Sequence, residues 1–179
     1  MQNRLVALLR EKSYRRMKVV LASGRESDFY VDARQTTLHA EGSWIIGSLI
    51  CDRLLPEVEG AGGLTMGADP IASAVATVSW YRQRPIHAFI VRKEPKAHGT
   101  QAWVEGRSNL GPGAPVAIVE DTTTTGGSLL KAIDRAQLDG LRVVQCFTVV
   151  DREEGAAEAL AARGYTLEAL VRRRDLEAA

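Results

Sequence analysis

The chain has 179 residues, of which 45% are hydrophobic and 25% are charged, and its formal net charge is +1. This length suits one domain with a substantial core, and the composition is that of an ordinary globular protein. The near-neutral charge excludes a bulk field that would recruit nucleic acid or a membrane, so any anion binding must come from local clusters.

Membrane insertion and secretion are not expected from this sequence. No apolar run is long enough to span a bilayer, and the charged N-terminal stretch MQNRLVALLREKSYRR lacks the apolar region of a signal peptide. Cys51 and Cys146 are isolated and have no metal-binding spacing, which is typical of small buried residues in a reducing compartment. We therefore expect a cytoplasmic protein with no membrane or nucleic-acid partner.

Helical and extended patterns alternate in the first third of the chain. An amphipathic pattern predicts an N-terminal helix, followed by short extended segments at 18–22 and 28–31 and a loop at 32–37. The next helix, at 40–55, has the clearest pattern and is stopped by Pro56. Its inward face is predicted to carry Trp44, Ile45, Leu49, Ile50 and Leu54.

From about residue 60 onward, strand and helix patterns follow each other regularly. Strands are predicted at 61–65, 86–91, 116–119, 143–150 and 165–170, and helices at 71–83, 128–138 and 154–163. This order predicts an α/β fold with a central, mostly parallel sheet flanked by helices on both faces. Ligands of such sheets bind at the carboxyl ends of the strands. Polar residues follow four of these strands, at 65–70, 92–98, 120–128 and 151–154.

The stretch VAIVEDTTTTGGS at 116–128 is the most informative motif. An apolar strand ends in two carboxylates, Glu120 and Asp121, and a Thr/Gly loop then opens a helix. Backbone N–H groups and hydroxyls in such a loop can bind phosphate, and the helix dipole favours the anion. The motif is neither a Walker A loop nor a dinucleotide fingerprint. Its alternative is an ordinary polar turn with a Thr or Ser N-cap. The paired acids suit ribose hydroxyls or a divalent metal.

The segment 92–109 is long, charged and without apolar periodicity. Loops of this kind are commonly functional lids or disordered, and a solvated charged loop is the alternative. Gly99 and Gly106 can act as hinges. Cations that arrive only on closure can stabilise a polyanionic leaving group. The basic residues at its start are Arg92, Lys93, Lys96 and His98.

With these motifs in view, the chain resembles a family of enzymes. The stretch at 116–128 is similar to the signature with which type I phosphoribosyltransferases bind phosphoribosyl pyrophosphate (PRPP). Three further segments resemble orotate phosphoribosyltransferases: SGRESDFYVDAR at 23–34, RKEPKAHG at 92–99 and the pair Asp151-Arg152. The resemblance covers nearly the whole chain.

This resemblance implies an architecture and an activity. It implies one phosphoribosyltransferase domain at 1–179, with a small N-terminal hood at about 1–37 and a mobile catalytic lid at 92–109. It also implies a homodimer in which the lid reaches into the partner subunit. The reaction would transfer the phosphoribosyl group of PRPP to orotate, giving orotidine 5′-monophosphate and diphosphate in pyrimidine biosynthesis. Mg²⁺ would be the cofactor, held by PRPP oxygens and water, with Asp121 as the one protein group that could take part.

The resemblance also implies roles for individual residues. Lys96, His98 and Asp121 would be catalytic. Thr124 and Arg152 would bind orotate, the latter through the carboxylate, for which a bidentate guanidinium pair is well suited. The alternative for Arg152 is a surface salt bridge with Glu153 or Glu154. The PRPP-binding residues would be Arg92, Lys93, Lys96, His98, Glu120, Asp121, Thr122, Thr123, Thr124, Thr125, Gly126, Gly127 and Ser128.

Three positions depart from the family pattern, and two other functions compete with orotate transfer. Ala22 and Met66 stand where the family often has lysines, and Thr100 stands where many members have an acid. One competing function is a phosphoribosyltransferase for another base, such as a purine or uracil. The other is a regulator on the same fold that binds PRPP or a nucleotide without turnover. The lid residues Lys96 and His98 and the carboxylate partner Arg152 favour orotate transfer.

Overall fold

The N-terminal region forms a helix and a hairpin beside the main sheet. The computed structural model describes residues 1–20, 26–95 and 102–178. Helix α1 (Gln2–Leu8) continues into a π-helical turn (Leu9–Ser13), and strand β1 (Tyr14–Val20) then pairs antiparallel with β2 (Glu26–Val31). Strand β1 therefore begins earlier than the extended segment predicted at 18–22.

The central sheet has six strands within the described residues, in the order β5-β4-β3-β6-β7-β8. Strand β5 runs antiparallel to β4, and the other neighbours are parallel. This confirms the predicted α/β fold with a mostly parallel sheet. The strands are β3 (Gly60–Leu64), β4 (His87–Val91), β5 (Val104–Glu105), β6 (Pro115–Thr123), β7 (Arg142–Asp151) and β8 (Leu167–Arg172).

Helices cover both faces of this sheet because alternate residues of each strand point to opposite sides. On β6, Ala117 and Val119 pack into one buried cluster with the N-terminal helices, whereas Val116 and Ile118 pack into another with α5 and α6. Among the described residues, no helix is long and apolar enough to cross a bilayer. The remaining helices are α2 (Arg34–Thr37), α3 (Ala40–Cys51), α4 (Asp69–Tyr81), α5 (Gly127–Leu138), α6 (Ala156–Ala161) and α7 (Arg173–Glu177).

The prediction is wrong for one core residue of α3. Trp44 is 58% exposed, whereas Ile45, Leu49 and Ile50 of the same helix are buried as expected. Trp44 lies three residues before Gly47, on the face of α3 that crosses α4, where a Cβ at Gly47 would lie 2.8 Å from the carbonyl oxygen of Ala74. Its side chain lines the open cleft between these two helices and does not enter the core.

Three stretches have more structure than their local pattern predicts. The predicted loop at 32–37 contains α2, whose first turn is stabilised where Asp32 accepts hydrogen bonds from the backbone N–H of Arg34 and the side chain of Gln35. The predicted loop at 92–109 contains β5 and a 3₁₀ turn, and the C-terminus contains the unpredicted α7. The helix predicted at 40–55 ends at Cys51.

Candidate active site

An open cleft lies where the carboxyl ends of the central strands meet. Its volume is about 260 Å³. Five of the predicted site residues line it: Lys93, Glu120, Asp121, Thr122 and Ser128. Its other walls come from β2 and the segment after it and from the turn after β3: Tyr30, Val31, Asp32, Ala33, Arg34, Leu64, Thr65, Met66 and Gly67. The cleft at the strand ends therefore brings together residues from four separate parts of the chain.

The two acids lie near the carboxyl end of strand β6 and differ in environment. Glu120 is only 6% exposed, and its Oε2 atom has no hydrogen-bond partner among the described residues. Burial, and then the neighbouring charge of Asp121, raise the pKa of the Glu120 carboxyl well above its usual range. The Oδ1 atom of Asp121 accepts a hydrogen bond of 2.7 Å from the backbone N–H of Thr122. A buried carboxylate oxygen without a donor calls for an external one, such as a sugar hydroxyl or a metal-bound water.

The loop after the acids ends in a helix N-terminus that no side chain caps. Gly126 is the N-cap of α5 with φ 81°, a left-handed conformation that favours glycine. Within the described residues, the hydroxyls of Thr122 and Thr123 are buried without a hydrogen-bond partner. An ordinary turn with a Thr or Ser N-cap is therefore not what this sequence builds. The donors at the start of a 12-residue helix suit an anion such as phosphate.

The turn between β3 and α4, one of the four polar strand ends, closes the cleft from the other side. A Cβ at Gly67 would lie 2.7 Å from both Glu120 Oε1 and Asp121 Oδ1. The hydroxyl of Thr65 donates a 2.7 Å hydrogen bond to Asp69, whose other carboxylate oxygen is buried without a partner in the described structure. The peptide bond between Thr65 and Met66 is cis. The sequence GGLTMGADP indicates this contact, since a glycine in the polar turn after a strand is typical of a place where another group approaches the backbone closely.

The start of the predicted lid is anchored to the sheet and to α5. Arg92 forms an ion pair of 2.8 Å with Glu105, and its carbonyl accepts a 2.8 Å hydrogen bond from Arg135. The guanidinium of Arg135 also stacks on Trp103, 4.3 Å from the ring centroid. Lys93 follows directly and lines the cleft. Lys96 and His98, the predicted catalytic residues of the lid, lie outside the described residues.

The predicted orotate-binding arginine lies one strand further along the sheet. Arg152 is 3% exposed, and its backbone N–H donates to the carbonyl of Thr123 at 3.0 Å. Its guanidinium pairs with Glu154 at 2.8 Å and lies 4.2 Å from the ring centroid of Phe29. An ion pair with Glu154 therefore exists, but it is buried, not a surface salt bridge. Arg152 and Thr124 are not among the described residues that line the 260 Å³ cleft.

Metal-ligating groups are sparse in this region. The described residues contain no group of three or more His, Cys, Asp or Glu side chains that could hold a metal ion. The carboxylates of Glu120 and Asp121 do suit Mg²⁺, which prefers oxygen ligands and keeps several waters when bound with a phosphorylated substrate. An ion at this site would therefore take most of its ligands from the substrate and from water.

A parallel sheet that carries paired acids and a phosphate-type loop at its carboxyl edge defines the type I phosphoribosyltransferase class. No protein-family model matches the chain. The orotate phosphoribosyltransferase of Sorangium cellulosum (strain So ce56) is 51% identical over 176 residues, which cover 97% of this chain and 92% of that protein. That of Bradyrhizobium sp. (strain ORS 278) is 45% identical over 175 residues, 96% of this chain and 95% of the relative. The chain belongs to the orotate phosphoribosyltransferase family.

Solved structures agree with this membership. The orotate phosphoribosyltransferase of Mycobacterium tuberculosis H37Rv in complex with Fe(III) dicitrate superposes with a TM-score of 0.86 at 43% identity, over 99% of both chains. The same enzyme in complex with PRPP superposes with a TM-score of 0.81 at 40% identity, again over 99% of both chains. The fold therefore matches that of the family.

Proposed function

We propose that the cleft at the strand ends is the reaction site at which the chain transfers the phosphoribosyl group of PRPP to orotate. The products are orotidine 5′-monophosphate and diphosphate, and the step belongs to pyrimidine biosynthesis. This activity is that of the family to which the chain belongs. The observation that carries the site assignment is the acid pair, buried Glu120 and partly exposed Asp121, beside an uncapped helix N-terminus.

The acid pair binds the ribose hydroxyls of PRPP. The orphaned Oε2 of Glu120 and the carboxylate of Asp121 are acceptors at the cleft, and the sugar supplies the donors that the fold does not. The loop from Thr122 to Ser128 binds the 5′-phosphate with its backbone N–H groups and hydroxyls. The acid pair and the phosphate-binding loop are adjacent along the chain. The sugar is therefore held at its hydroxyls and at its phosphate, and C1′ is oriented for attack.

Catalysis in this proposal comes from orientation and from charge placed on the departing diphosphate. C1′ gains oxocarbenium character as diphosphate leaves, and N1 of orotate attacks as an anion, so no protein nucleophile is needed. Lys93, which lines the cleft, and Arg92, Lys96 and His98 supply positive charge on the diphosphate side. Mg²⁺ supplies further neutralisation of that charge when it is bound with PRPP.

Arg152 and Thr124 select the base. A guanidinium carries five N–H donors, and a bidentate pair with the orotate carboxylate uses two of them. Arg152 is buried near the carboxyl end of the sheet, where its backbone meets the loop that starts at the acid pair. Uracil, which lacks the carboxylate, could not form this bidentate pair, and the enzyme should discriminate strongly against it.

The chain functions as one catalytic domain, 1–179, with a hood at about 1–37 and a lid at 92–109, and it assembles as a homodimer. Two clefts with largely apolar surface flank the start of α4 and share Leu38, Pro70 and Ser73. One, of about 410 Å³, lies between α3 and α4, and the other, of about 550 Å³, lies between α2 and α4. The larger shares Met66 and Arg34 with the candidate active site, so a second copy on this face would reach the reaction site. Contiguous apolar exposure marks an interaction surface. The exposed large apolar residues that line these clefts are Leu38 (72%), Trp44 (58%) and Met66 (64%).

We also place the enzyme in the cytoplasm. Both cysteines are free, with Cys146 buried and Cys51 half-buried, as is usual in a reducing compartment. PRPP and orotate are small, soluble, charged molecules, so the proposal needs neither a membrane nor a nucleic-acid partner.

One assay tests the activity. Purified protein is mixed with orotate, PRPP and Mg²⁺, and the loss of orotate absorbance is followed, with uracil and hypoxanthine as control bases. Turnover of orotate alone supports the proposal, and turnover of a control base in its place would reassign the substrate. Binding of PRPP without turnover of any base would instead indicate a regulator.

Mixing two inactive variants tests the shared lid. Lys96→Ala and Asp121→Ala are each expected to be nearly inactive. If the lid acts on the partner's site, an equal mixture re-formed into hybrid dimers regains about a quarter of wild-type activity, because half of the dimers have one intact site. No recovery in a mixture shown by mass to contain hybrids would contradict the shared lid.

A further inference from the structure

The ring of Phe29 has two arginines stacked on it. The guanidinium carbon of Arg152 lies 4.2 Å from the ring centroid, and that of Arg173 lies 4.1 Å from it. The ring is 1% exposed and also stacks on Tyr14, with centroids 6.1 Å apart. We call Phe29, Arg152 and Arg173 the Phe29 cluster. It joins three distant parts of the chain: the hairpin, the end of β7 and the C-terminal helix.

Arg173 is itself held in place from both sides. It forms an ion pair of 2.7 Å with Glu177, one turn along α7, and another of 3.2 Å with Asp28 on β2. The short helix α7 is tied to the body of the protein by Arg10, which donates to the backbone carbonyls of Asp175 at 2.8 Å and Leu176 at 3.2 Å. Its first residue therefore has a defined position relative to Phe29.

We propose that Arg173 is a positioning residue for orotate recognition: through the ring of Phe29, the C-terminal helix sets the orientation of the Arg152 guanidinium. This inference rests on the proposed role of Arg152 in binding the orotate carboxylate. A bidentate guanidinium–carboxylate pair depends on the plane of the guanidinium, and stacking on an aromatic face fixes that plane. Removing Arg173 from the ring of Phe29 leaves the ring less firmly held, and the plane of the Arg152 guanidinium is then less well defined.

The size of the effect follows from the contact. Arg173 is partly exposed, with 32% of its side chain accessible, so its cation–π contact is at the weaker end of such interactions. Arg173→Gln is expected to raise KM for orotate about five-fold, the equivalent of about 1 kcal/mol. KM for PRPP should stay within about two-fold, since the acid pair and the phosphate loop are not part of the cluster.

The discriminating measurement is base selectivity. For each variant, kcat/KM is measured with orotate and with uracil, at saturating PRPP. A looser Arg152 lowers the ratio of orotate to uracil, because only orotate has the carboxylate. General loosening of the fold would instead lower both values together and raise both KM values. Arg173→Lys retains the charge and the Asp28 contact, and it should recover most of the selectivity.

Arg174→Gln is the matched control. Arg174 is the next residue of α7, is 62% exposed, and pairs with Glu153 at 3.3 Å. It should leave the selectivity ratio unchanged. Arg152→Gln is measured in parallel, and the double variant Arg152→Gln/Arg173→Gln should be no less selective than Arg152→Gln alone.

The outcomes separate the two proposals. A fall in selectivity for both Arg152→Gln and Arg173→Gln, with rescue by Arg173→Lys, supports the positioning role. A fall for Arg152→Gln alone would overturn the role of Arg173 and leave the base assignment intact. Unchanged selectivity in Arg152→Gln would overturn both, and an equal fall in Arg174→Gln would reduce Arg173 to a structural residue of α7.

Discussion

Gly67 lies against the carboxylate of Asp121, so closely that a Cβ at this position would be 2.7 Å from Oδ1. The glycine comes from the turn after β3, and the acid from the end of β6, the neighbouring strand of the sheet. The same Cβ would also be 2.7 Å from Oε1 of Glu120. The absence of a side chain at one residue therefore sets the space available to the acid pair.

Gly67→Ala should impair PRPP binding in a protein that still folds. The added methyl group must displace the two carboxylates, and misplaced groups at a reaction site lower its rate. We expect KM for PRPP to rise at least about ten-fold, with a stability loss of about 1–3 kcal/mol from overpacking. Steady-state kinetics and thermal unfolding measure the two effects. Gly111→Ala is the control, because a Cβ there meets no atom within 4 Å. Wild-type PRPP kinetics in Gly67→Ala would remove the turn from the site.

Glu120 should make the free enzyme less stable as the pH rises. Burial, followed by the charge of Asp121, raises the pKa of Glu120 in the folded state. Between the unfolded-state pKa of about 4.3 and the raised folded-state value, the unfolded chain releases a proton that the folded protein keeps. Unfolding therefore becomes more favourable through that window. Glu120→Gln does not titrate, so its Tm should exceed that of the wild type by more at pH 8 than at pH 5.

The same variant should bind PRPP less well, because the amide lacks the carboxylate's negative charge and presents donors to the sugar hydroxyls. Greater stability together with weaker substrate binding is expected of a strained functional group. Glu57→Gln, at an exposed position, makes the same chemical change away from the cleft. A Tm difference between Glu120→Gln and the wild type that does not depend on pH would contradict this account of Glu120.

Arg135 should affect catalysis although it lies far along α5 from the phosphate loop. It donates a 2.8 Å hydrogen bond to the carbonyl of Arg92 and stacks on Trp103, so it holds both ends of the segment that carries Lys93. Arg135→Gln is expected to lower kcat/KM for PRPP about five-fold, for the loss of about 1 kcal/mol of charge-assisted contact. Lys131→Gln, at an exposed position one turn earlier on α5, is the control. Equal effects of the two variants would argue against the anchoring role.

Lys96→Ala and Asp121→Ala should fail in different ways. A lid residue that acts on the departing diphosphate contributes mainly in the transition state, so Lys96→Ala should lower kcat by about 10²-fold or more while PRPP still binds. Asp121→Ala should abolish productive PRPP binding. Titration calorimetry measures PRPP binding directly, so together with the kinetics it distinguishes a loss of binding from a loss of turnover. An unchanged kcat in Lys96→Ala, or wild-type PRPP affinity in Asp121→Ala, would exclude that residue from its role.

The sequence predicted the strands and helices whose burial is visible in the spacing of their own apolar residues. The runs at 116–119 and 143–150 are apolar because parallel strands are buried on both faces, and the helix at 128–138 shows the spacing of one buried stripe. The strand β5 could not be found in this way, because it is held by distant residues: the N–H groups of Trp103, just before it, and of Val104, its first residue, donate to the carboxylate of Asp139, 36 and 35 residues away. Trp44 was misplaced because helical spacing does not say which neighbour a face meets.

The candidate site divides along the same line. The order of residues alone indicated the acid pair and the phosphate loop, because Glu120 to Ser128 are consecutive and their chemistry is local. The chain order could not show that Gly67 bounds the acid pair, that Arg135 contacts both Arg92 and Trp103, or that Arg152 is buried against Phe29 and Glu154. These contacts join residues separated along the chain, and they form only when strand order and helix crossing bring distant segments within a few ångströms of each other.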